Sequence, residues 1–218
     1  MNAMISDDSF KTIYIITPTY TRPTQLAELT ILAQALEHIP YLHWIVMEFE
    51  MTDPVTHFLT ETNLQYTHLD SNGTMTGFVP GINACNGLRN IALDHMGVKH
   101  GNSSGVILFA NLDRTYSAEL FDKVRDIKKV GIWPTVFAKE QFVCNPLRFN
   151  QAAPSYPINL GSVGFSTDIL SKGPELRFPL KVSDTDGISW LMKGFISDKA
   201  EIEIVSCDGQ FVWFTPIF

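Results

Sequence analysis

The sequence is poor in cysteine, in positive charge and in long apolar runs. Its three cysteines, Cys85, Cys144 and Cys207, show no CxxC spacing, so we predict buried, reduced thiols of a cytoplasmic protein rather than a disulfide framework. A formal net charge of −7 argues against a nucleic-acid partner, which requires a basic face. Hydrophobic residues occupy 45% of the 218 positions, which suits a packed core and not a disordered chain.

Membrane-spanning and common nucleotide-binding signatures are missing as well. No apolar stretch approaches the roughly 20 residues of a membrane-spanning helix, and residues 1–11 do not combine a charged region with an apolar one, as a signal peptide does. We therefore expect no transmembrane segment and no leader. GxGxxG and GxxxxGK[ST] are both absent, which argues against a dinucleotide enzyme and a P-loop NTPase; "GINACNG" (81–87) is only a loose glycine pair.

The first half of the chain alternates strand and helix patterns. Such alternation predicts an α/β fold with a mostly parallel central sheet and helices on both faces. Residues 70–87 hold four glycines and a proline, and we predict a mobile loop there. The predicted strands lie at 12–20, 42–47, 65–69 and 105–110, and the predicted helices at 23–36, 55–62, 86–96 and 118–126.

The second half is less regular. No internal repeat or low-complexity segment divides the chain, so we predict one domain over residues 1–218. The pattern predicts extended segments at 130–137, 141–149 and 158–166, a short helix at 186–195, and closing strands at 200–206 and 210–218.

Polar side chains follow the four predicted strands of the first half. In a doubly wound sheet, the loops after the carboxyl ends of the strands meet in one crevice. An aromatic ring suits a base, an arginine a phosphate and a carboxylate a divalent cation, so this set indicates a nucleoside diphosphate site. From the residues alone, Asp113 is either a metal ligand or a turn residue, and Arg22 is structural or solvent-facing rather than catalytic. The convergent side chains are Tyr20, Arg22, Glu48, Asp53, Asp70, Arg89 and Asp113.

Seven segments of the sequence are similar to one known family, in that family's order and with similar spacing. They are "TIYIITPTYTRPTQLAELT" (12–30), "LHWIVME" (42–48), "YTHL" (66–69), "LRNIAL" (88–93), "LDRTYSAELF" (112–121), "VGIWP" (130–134) and "VWFT" (212–215). In these segments the chain resembles the β-1,3-glucuronosyltransferases of glycosyltransferase family 43. The resemblance covers most of the chain from residue 12 onward and implies a GT-A type nucleotide-sugar-binding fold.

The resemblance implies an inverting glycosyltransferase, glucuronosyltransferase-like, that moves a sugar from a UDP-sugar donor to a hydroxyl of a glycan or glycolipid acceptor. The cofactor would be Mn²⁺ (or Mg²⁺), and the acceptor a microbial surface glycan or its lipid-linked precursor. We expect a nucleotide-binding half at about residues 12–126 and an acceptor-binding half at about 127–218. Because the family's members dimerise, the resemblance also implies a homodimer.

Carried over to this sequence, the resemblance assigns roles around the nucleotide. Tyr20 would stack on uracil, and Arg89 matches one of the family's donor-contacting arginines. Asp113 matches the last acid of the family's DxD-type triplet, which is the direct metal ligand. Asn111 stands at the first position of that triplet, where it still offers a carbonyl oxygen to the donor.

The resemblance also implies a general base in "SDTDGIS". Asp186 sits about where the family has its base, a glutamate, and would accept the proton of the acceptor hydroxyl. Two alternatives stay open: Asp184, two residues earlier, competes for the role, and Asp186 could instead cap the helix that follows.

The sequence departs from the family at several donor-site positions. Leu112 stands at the triplet's second acid, Phe49 at a uracil-binding aspartate and Ala84 at a second arginine. Phe214 replaces a histidine after Val-Trp, and Pro216 replaces an arginine shortly beyond it. Two hypotheses therefore remain: an active transferase with an altered donor pocket, and a degenerate, non-catalytic member that kept the fold for binding or assembly.

Overall fold

Nine strands and five α-helices form in the residues that the computed structural model describes, namely 10–75, 82–134, 158–180, 182–207 and 211–214. The strands are β1 (Thr12–Thr19), β2 (Leu42–Glu48), β3 (Tyr66–Asp70), β4 (Gly105–Phe109), β5 (Arg114–Tyr116), β6 (Val130–Ile132), β7 (Val163–Ser166), β8 (Ile202–Ile204) and β9 (Val212–Phe214). The helices are α1 (Gln25–Leu36), α2 (Asp53–Glu61), α3 (Ile82–His100), α4 (Ala118–Val124) and α5 (Asp184–Phe195).

Seven strands form the central sheet in the order β3-β2-β1-β4-β7-β6-β8. The first four are parallel to their neighbours, and β6 is parallel to β8. Only β7 runs against its neighbours in this sheet, pairing antiparallel with β4 and with β6. The predicted mostly parallel sheet is confirmed, and the carboxyl ends of β1 to β4 share one edge.

Alternate residues of the parallel strands belong to two separate hydrophobic cores, one on each face of the sheet. Ile13 and Ile15 of β1 pack with α1, α2 and α4, whereas Tyr14 and Ile16 face α3 and α5. Because side chains alternate across a strand, a strand covered on both faces must be apolar at nearly every position. This explains the uninterrupted apolar runs and confirms the predicted helices on both faces.

Helix α3 begins earlier than the sequence pattern indicates. The prediction of a loop over 70–87 is wrong for residues 82–87, which are the first turns of α3. Ala84 and Cys85 are buried there, and a Cβ at Gly87 would stand 2.5 Å from the sulfur of Met75. Because Gly87 has no Cβ, Met75 of the preceding turn can pack directly on α3. The glycine content of this segment favours a loop prediction, although residues 82–87 are helical.

A second, two-stranded sheet flanks the first. β5 pairs antiparallel with β9, so that Arg114 lies opposite Phe214 and Thr115 opposite Trp213. The predicted closing strand at 210–218 is thus confirmed over Val212–Phe214. The extended segment predicted at 141–149 lies outside the described residues.

The cysteines correct one expectation. Cys85 is a buried thiol outside any disulfide, but Cys207 is disulfide-bonded, so the prediction of three reduced thiols is wrong. Cysteine usage therefore gives no support to a cytoplasmic location. In the part of the chain that the structure describes, no helix has the length and apolarity to cross a membrane.

Three histidines gather near the amino ends of the strands. His43 and His100 have ring centroids 5.5 Å apart, and the Tyr14 hydroxyl lies 3.4 Å from His100 Nδ1. Burial lowers the pKa of His43, and the neighbouring His100 and His95 lower it further. The sequence showed no ligand spacing among the histidines, and the structure assigns His43 to a packed aromatic cluster instead.

Candidate active site

A cleft of about 400 Å³ opens at the carboxyl ends of β1 and β4. It brings together Tyr20, Arg89, Asn111 and Asp113, four of the side chains singled out in the sequence. We call it the β1–β4 cleft. Its lining is Pro18, Tyr20, Arg22, Glu28, Cys85, Arg89, Asn111, Leu112, Asp113 and Arg114.

The triplet Asn111-Leu112-Asp113 forms the turn between β4 and β5. The backbone N–H of Asn111 donates to the Tyr116 hydroxyl (3.1 Å), and the N–H of Arg114 donates to the Asn111 carbonyl (3.3 Å). Burial raises the pKa of Tyr116, so this phenol stays protonated and keeps its place in the turn. Leu112 is 5% exposed and packs into the core beneath the cleft.

Asp113 is the carboxylate of this turn, and its side chain is 43% exposed. One of its oxygens lies 3.5 Å from Arg114 Nη1. Among the described residues, no three His, Cys, Asp or Glu side chains come together as a metal site. The triplet can offer a metal the Asp113 carboxylate, whereas Glu28, another acid that lines the cleft, is paired with Arg22. Mg²⁺-type sites with one or two carboxylates complete their shell with substrate phosphates and water. The donor set fits such an ion.

Arg89 is buried at the floor of the cleft, with 1% of its surface exposed. Its Nη2 donates to Asn111 Oδ1 (2.9 Å) and its Nη1 to Asn86 Oδ1 (2.8 Å), and the guanidinium lies 5.6 Å from the ring centroid of Phe178. Two amide carbonyls therefore orient it from opposite ends. Because so little of its surface meets water, Arg89 is not a solvated residue of the helix surface.

Asn86 extends this network to the start of α5. Its Nδ2 donates to the carbonyl oxygens of Pro179 and Val182, both at 3.2 Å. One turn later on α3, Asn90 donates to the Phe178 carbonyl (2.9 Å) and accepts from the Phe178 N–H (2.8 Å). Both asparagines were missed as site residues. Their spacing placed them on one helix face, but nothing local in the sequence identifies partners about 90 residues away.

Tyr20 stands at the rim of the cleft with Arg22 packed on its ring. The guanidinium carbon lies 4.7 Å from the ring centroid, and Arg22 also forms an ion pair with Glu28. The Thr24 hydroxyl donates to the second Glu28 oxygen (2.8 Å). Arg22, which Glu28 of α1 holds in place, therefore covers one ring face of Tyr20. In this position Arg22 has a structural role, as the sequence predicts.

Glu48 does not enter the cleft, contrary to the expected convergence. It is fully buried and accepts hydrogen bonds from Gln25 (3.1 Å) and from the Thr52 hydroxyl (3.0 Å) and backbone (3.1 Å), with His68 Nε2 at 2.8 Å. Burial alone would raise the pKa of Glu48, but these bonds outweigh it and hold the pKa below its usual value. Glu48 joins α1, β2 and β3 under the site.

Two further acids lie away from the cleft. Asp53 is exposed at the first residue of α2, and Asp70 accepts from the Asn72 backbone in the turn after β3 (2.9 Å). Asp53 and Asp70 line none of the cleft.

Asp186 lies in the first turn of α5. Ser183 caps that helix, since its hydroxyl accepts from the Asp186 N–H (3.1 Å) and donates to the Asp186 carboxylate (2.7 Å). Asp186 thus belongs to a capping arrangement in which Ser183, not Asp186, is the N-cap. Asp186 also lines a groove of about 690 Å³ that shares no described residue with the β1–β4 cleft.

A family model described as "Glycosyltransferase family 43" matches residues 32–217. Human galactosylgalactosylxylosylprotein 3-beta-glucuronosyltransferase 1 is 39% identical over 141 residues, which cover 60% of this chain and 42% of the human enzyme. The human enzyme numbered 2 is 30% identical over 221 residues, covering 94% of this chain and 68% of that protein. The chain therefore spans well under half the length of the first of these relatives.

Solved structures share the architecture at low identity. S. aureus TarS 1-349 in complex with UDP-GlcNAc has a TM-score of 0.59 at 16% identity, covering 95% of this chain and 59% of that one. A mannosyltransferase from Pyrobaculum calidifontis, in complex with GDP-Man and Mn²⁺, has a TM-score of 0.54 at 16% identity, covering 91% and 58%. These neighbours are GT-A glycosyltransferases, so the predicted GT-A type fold is confirmed.

Proposed function

The chain belongs to glycosyltransferase family 43, and on that premise we propose that it transfers a sugar from a UDP-sugar to a hydroxyl of a glycan acceptor with inversion. The observation that carries the proposal is the β1–β4 cleft, which gathers an aromatic ring, a buried arginine and a carboxylate at the carboxyl edge of the parallel strands. Relatives named as 3-beta-glucuronosyltransferases and a neighbour holding UDP-GlcNAc support the same chemistry.

In this proposal the cleft binds the nucleotide. Tyr20 stacks on uracil through the ring face that Arg22 leaves open, and Arg89 supplies positive charge beneath the diphosphate. Asn111 keeps Arg89 oriented, because its amide oxygen already accepts from Nη2.

Asp113 is the residue that would hold Mn²⁺ or Mg²⁺. A cation bound there supplies Lewis acidity that neutralises charge on the leaving diphosphate. Support comes from the hard oxygen donor, its exposure toward the cleft, and the Mn²⁺ in the mannosyltransferase neighbour.

The acceptor hydroxyl needs a base. We assign Asp186, whose carboxylate would take the proton as the acceptor oxygen bonds to the anomeric carbon and the bond to UDP breaks. Asp184 begins the same helix and remains the alternative. Residues at about 12–126 would then serve the nucleotide and those at about 127–218 the acceptor.

We expect a donor sugar different from that of the family, because two donor-site positions are altered. Phe49 is half-buried where the family has an aspartate, and Ala84 is buried where it has an arginine. Ala84 removes one positive charge from the donor site, which favours a less charged sugar than glucuronic acid, whereas Phe49 changes a position that contacts uracil. Homodimerisation and a cytoplasmic location stay predictions, for light scattering and cell fractionation to test.

Calorimetric titration tests the proposal. UDP, UDP-glucuronic acid, UDP-GlcNAc and UDP-galactose are each added with and without Mn²⁺, to wild type, to Asp113→Asn and to the matched control Asp53→Asn. We expect Mn²⁺-dependent binding that Asp113→Asn weakens by about tenfold or more, while Asp53→Asn leaves it unchanged. Asp186→Asn should keep donor affinity and lower turnover about 10²-fold or more.

Two outcomes would count against a transferase. Absence of binding to every nucleotide tested would refute the transferase proposal. Binding that Asp113→Asn leaves intact would favour the non-catalytic alternative, which rests on the single carboxylate of the triplet.

A further inference from the structure

Trp190 is an exposed indole on a helix that otherwise buries its apolar side chains. Ile188, Leu191 and Met192 of α5 are completely buried, whereas Trp190 is 56% exposed. Of the other three tryptophans, Trp44 and Trp133 are 0% and 1% exposed, and Trp213 is 41% exposed. A single exposed apolar side chain is ordinary, but an aromatic ring that lines a concave site together with polar groups fits a ligand pocket.

Hollows flank Trp190 on two sides. One, of about 690 Å³, lies toward Val182 and Asp186, and the other, of about 470 Å³, lies toward Lys172 and Leu176. Both are lined by Trp190, Lys193 and Glu175, so they form one continuous depression, which we call the Trp190 groove. Each of the two hollows falls in the size range of small-molecule sites, which is roughly 300–1,000 Å³.

The rim of the Trp190 groove carries balanced charge. Two carboxylates, Glu175 and Asp186, line the groove with three cations, Lys172, Arg177 and Lys193. Asp94 pairs with Arg177 at 2.7 Å and brings the carboxylates to three. A balanced rim gives little net attraction to a free anion or cation. It does offer both donors and acceptors of hydrogen bonds around an apolar ring.

That combination matches a pyranose ring. A sugar presents a face of C–H groups, which packs on an aromatic ring, and an edge of hydroxyls, each able to donate and to accept. A lipid surface or an apolar peptide would leave the five charged groups of the lining desolvated, which is costly.

The groove also contains the proposed base. Residues 186 and 190 are one helical turn apart, so Asp186 and Trp190 lie on the same face of α5, and both line the larger hollow. We propose that the Trp190 groove binds the sugar chain of the acceptor, with Trp190 stacking on a residue next to the one that reacts. This rests on the proposed function, because it takes Asp186 as the base.

Saccharide binding in the absence of turnover tests the groove. The probes are methyl β-galactoside and β-1,3-galactobiose, and their binding is measured by saturation-transfer NMR and calorimetry. The variants are Trp190→Ala, Trp190→Phe and the control Tyr41→Ala, which removes an aromatic side chain of equal exposure (55%) near the amino ends of the strands. Circular dichroism and urea unfolding verify that each variant folds.

We expect the disaccharide to bind wild type and Tyr41→Ala equally, with affinity about tenfold lower in Trp190→Ala and an intermediate loss in Trp190→Phe. Affinity for UDP with Mn²⁺ should be the same in all four proteins. Equal disaccharide affinity in Trp190→Ala and wild type, or no saturation transfer from either saccharide to wild type, overturns the proposal.

Other occupants give different results. If light scattering shows a wild-type dimer that Trp190→Ala dissociates, the occupant is a second copy of the chain and the proposal is overturned. Trp190-dependent binding to vesicles of phosphatidylcholine and phosphatidylglycerol would overturn it as well. Failure of the transferase proposal is separable, because it would abolish UDP binding while Trp190-dependent binding of the disaccharide persisted.

Discussion

Replacing Asn86 by alanine tests whether a buried amide holds the two parts of the site together. Asn86 is 2% exposed and joins Arg89 to the carbonyls of Pro179 and Val182. Alanine preserves the helix, because its helix propensity is the highest. The substitution therefore removes the side-chain bonds and leaves α3 intact.

The magnitude follows from those contacts. Asn86 makes three hydrogen bonds that alanine cannot replace, and a buried bond contributes about 1 kcal/mol net, so the free energy of unfolding should fall by about 3 kcal/mol. The matched control is Asn90→Ala, which removes two bonds to Phe178 and should cost about 2 kcal/mol. Only the first variant deprives Arg89 of a partner.

Urea unfolding followed by circular dichroism measures both losses, and calorimetry measures the affinity for UDP with Mn²⁺. We expect both variants to be less stable, and only Asn86→Ala to bind UDP about tenfold more weakly, because Arg89 loses its orientation. A stability loss under about 1 kcal/mol in Asn86→Ala would refute the network's role. An equal loss of UDP affinity in Asn90→Ala would show that Arg89 is not the link.

Three further substitutions or titrations test other parts of the fold. The lowered pKa of Glu48 means that its stabilisation is complete above its usual value of 4.5 and is lost as the pH falls through the folded-state value. In urea unfolding at a series of acid pH values, the free energy of unfolding should therefore fall more steeply with decreasing pH in wild type than in Glu48→Gln. Equal slopes in the two proteins would contradict this. The lowered pKa of His43 means that the unfolded chain takes up the proton first, so stability should fall as the pH drops below 6.5, less steeply in His43→Gln. An equally steep fall in that variant would exclude His43 as the cause. Gly131→Ala would put a Cβ against the Ile127 side chain and 2.7 Å from Val205, and should cost about 1–3 kcal/mol. Gly97→Ala meets no atom within 4 Å and should be neutral or stabilising, so thermal melts that rank the two variants alike would contradict the close packing.

The sheet and its helices were predictable because their signal is local. The runs at β1, β2 and β4 are apolar at almost every position, since each strand is covered on both faces. The reversal at β7 was not predictable. Its partners β4 and β6 lie about 30–60 residues earlier in the chain, and four residues carry no sign of direction.

The candidate site was predictable where the resemblance fixed single positions. Tyr20, Arg89, Asn111 and Asp113 do line one cleft. Glu48 was misplaced because a strand's last residue points to one face or the other, and only Gln25 and Thr52 reveal that this one points inward. The Asn86 contacts join segments that approach only in the folded protein.

The pairing of β5 with β9 has a consequence for the order of assembly. Each of its three residue pairs joins positions about 100 residues apart, so this short ladder closes a very long loop. Contacts of such separation form late in folding, and short ladders are among the first to open in the native state. The β5–β9 ladder that follows Asp113 has only three residue pairs, so it is expected to open before the longer ladders of the central sheet. The rim of the β1–β4 cleft is consequently its least protected part, where amide hydrogen exchange is expected to begin.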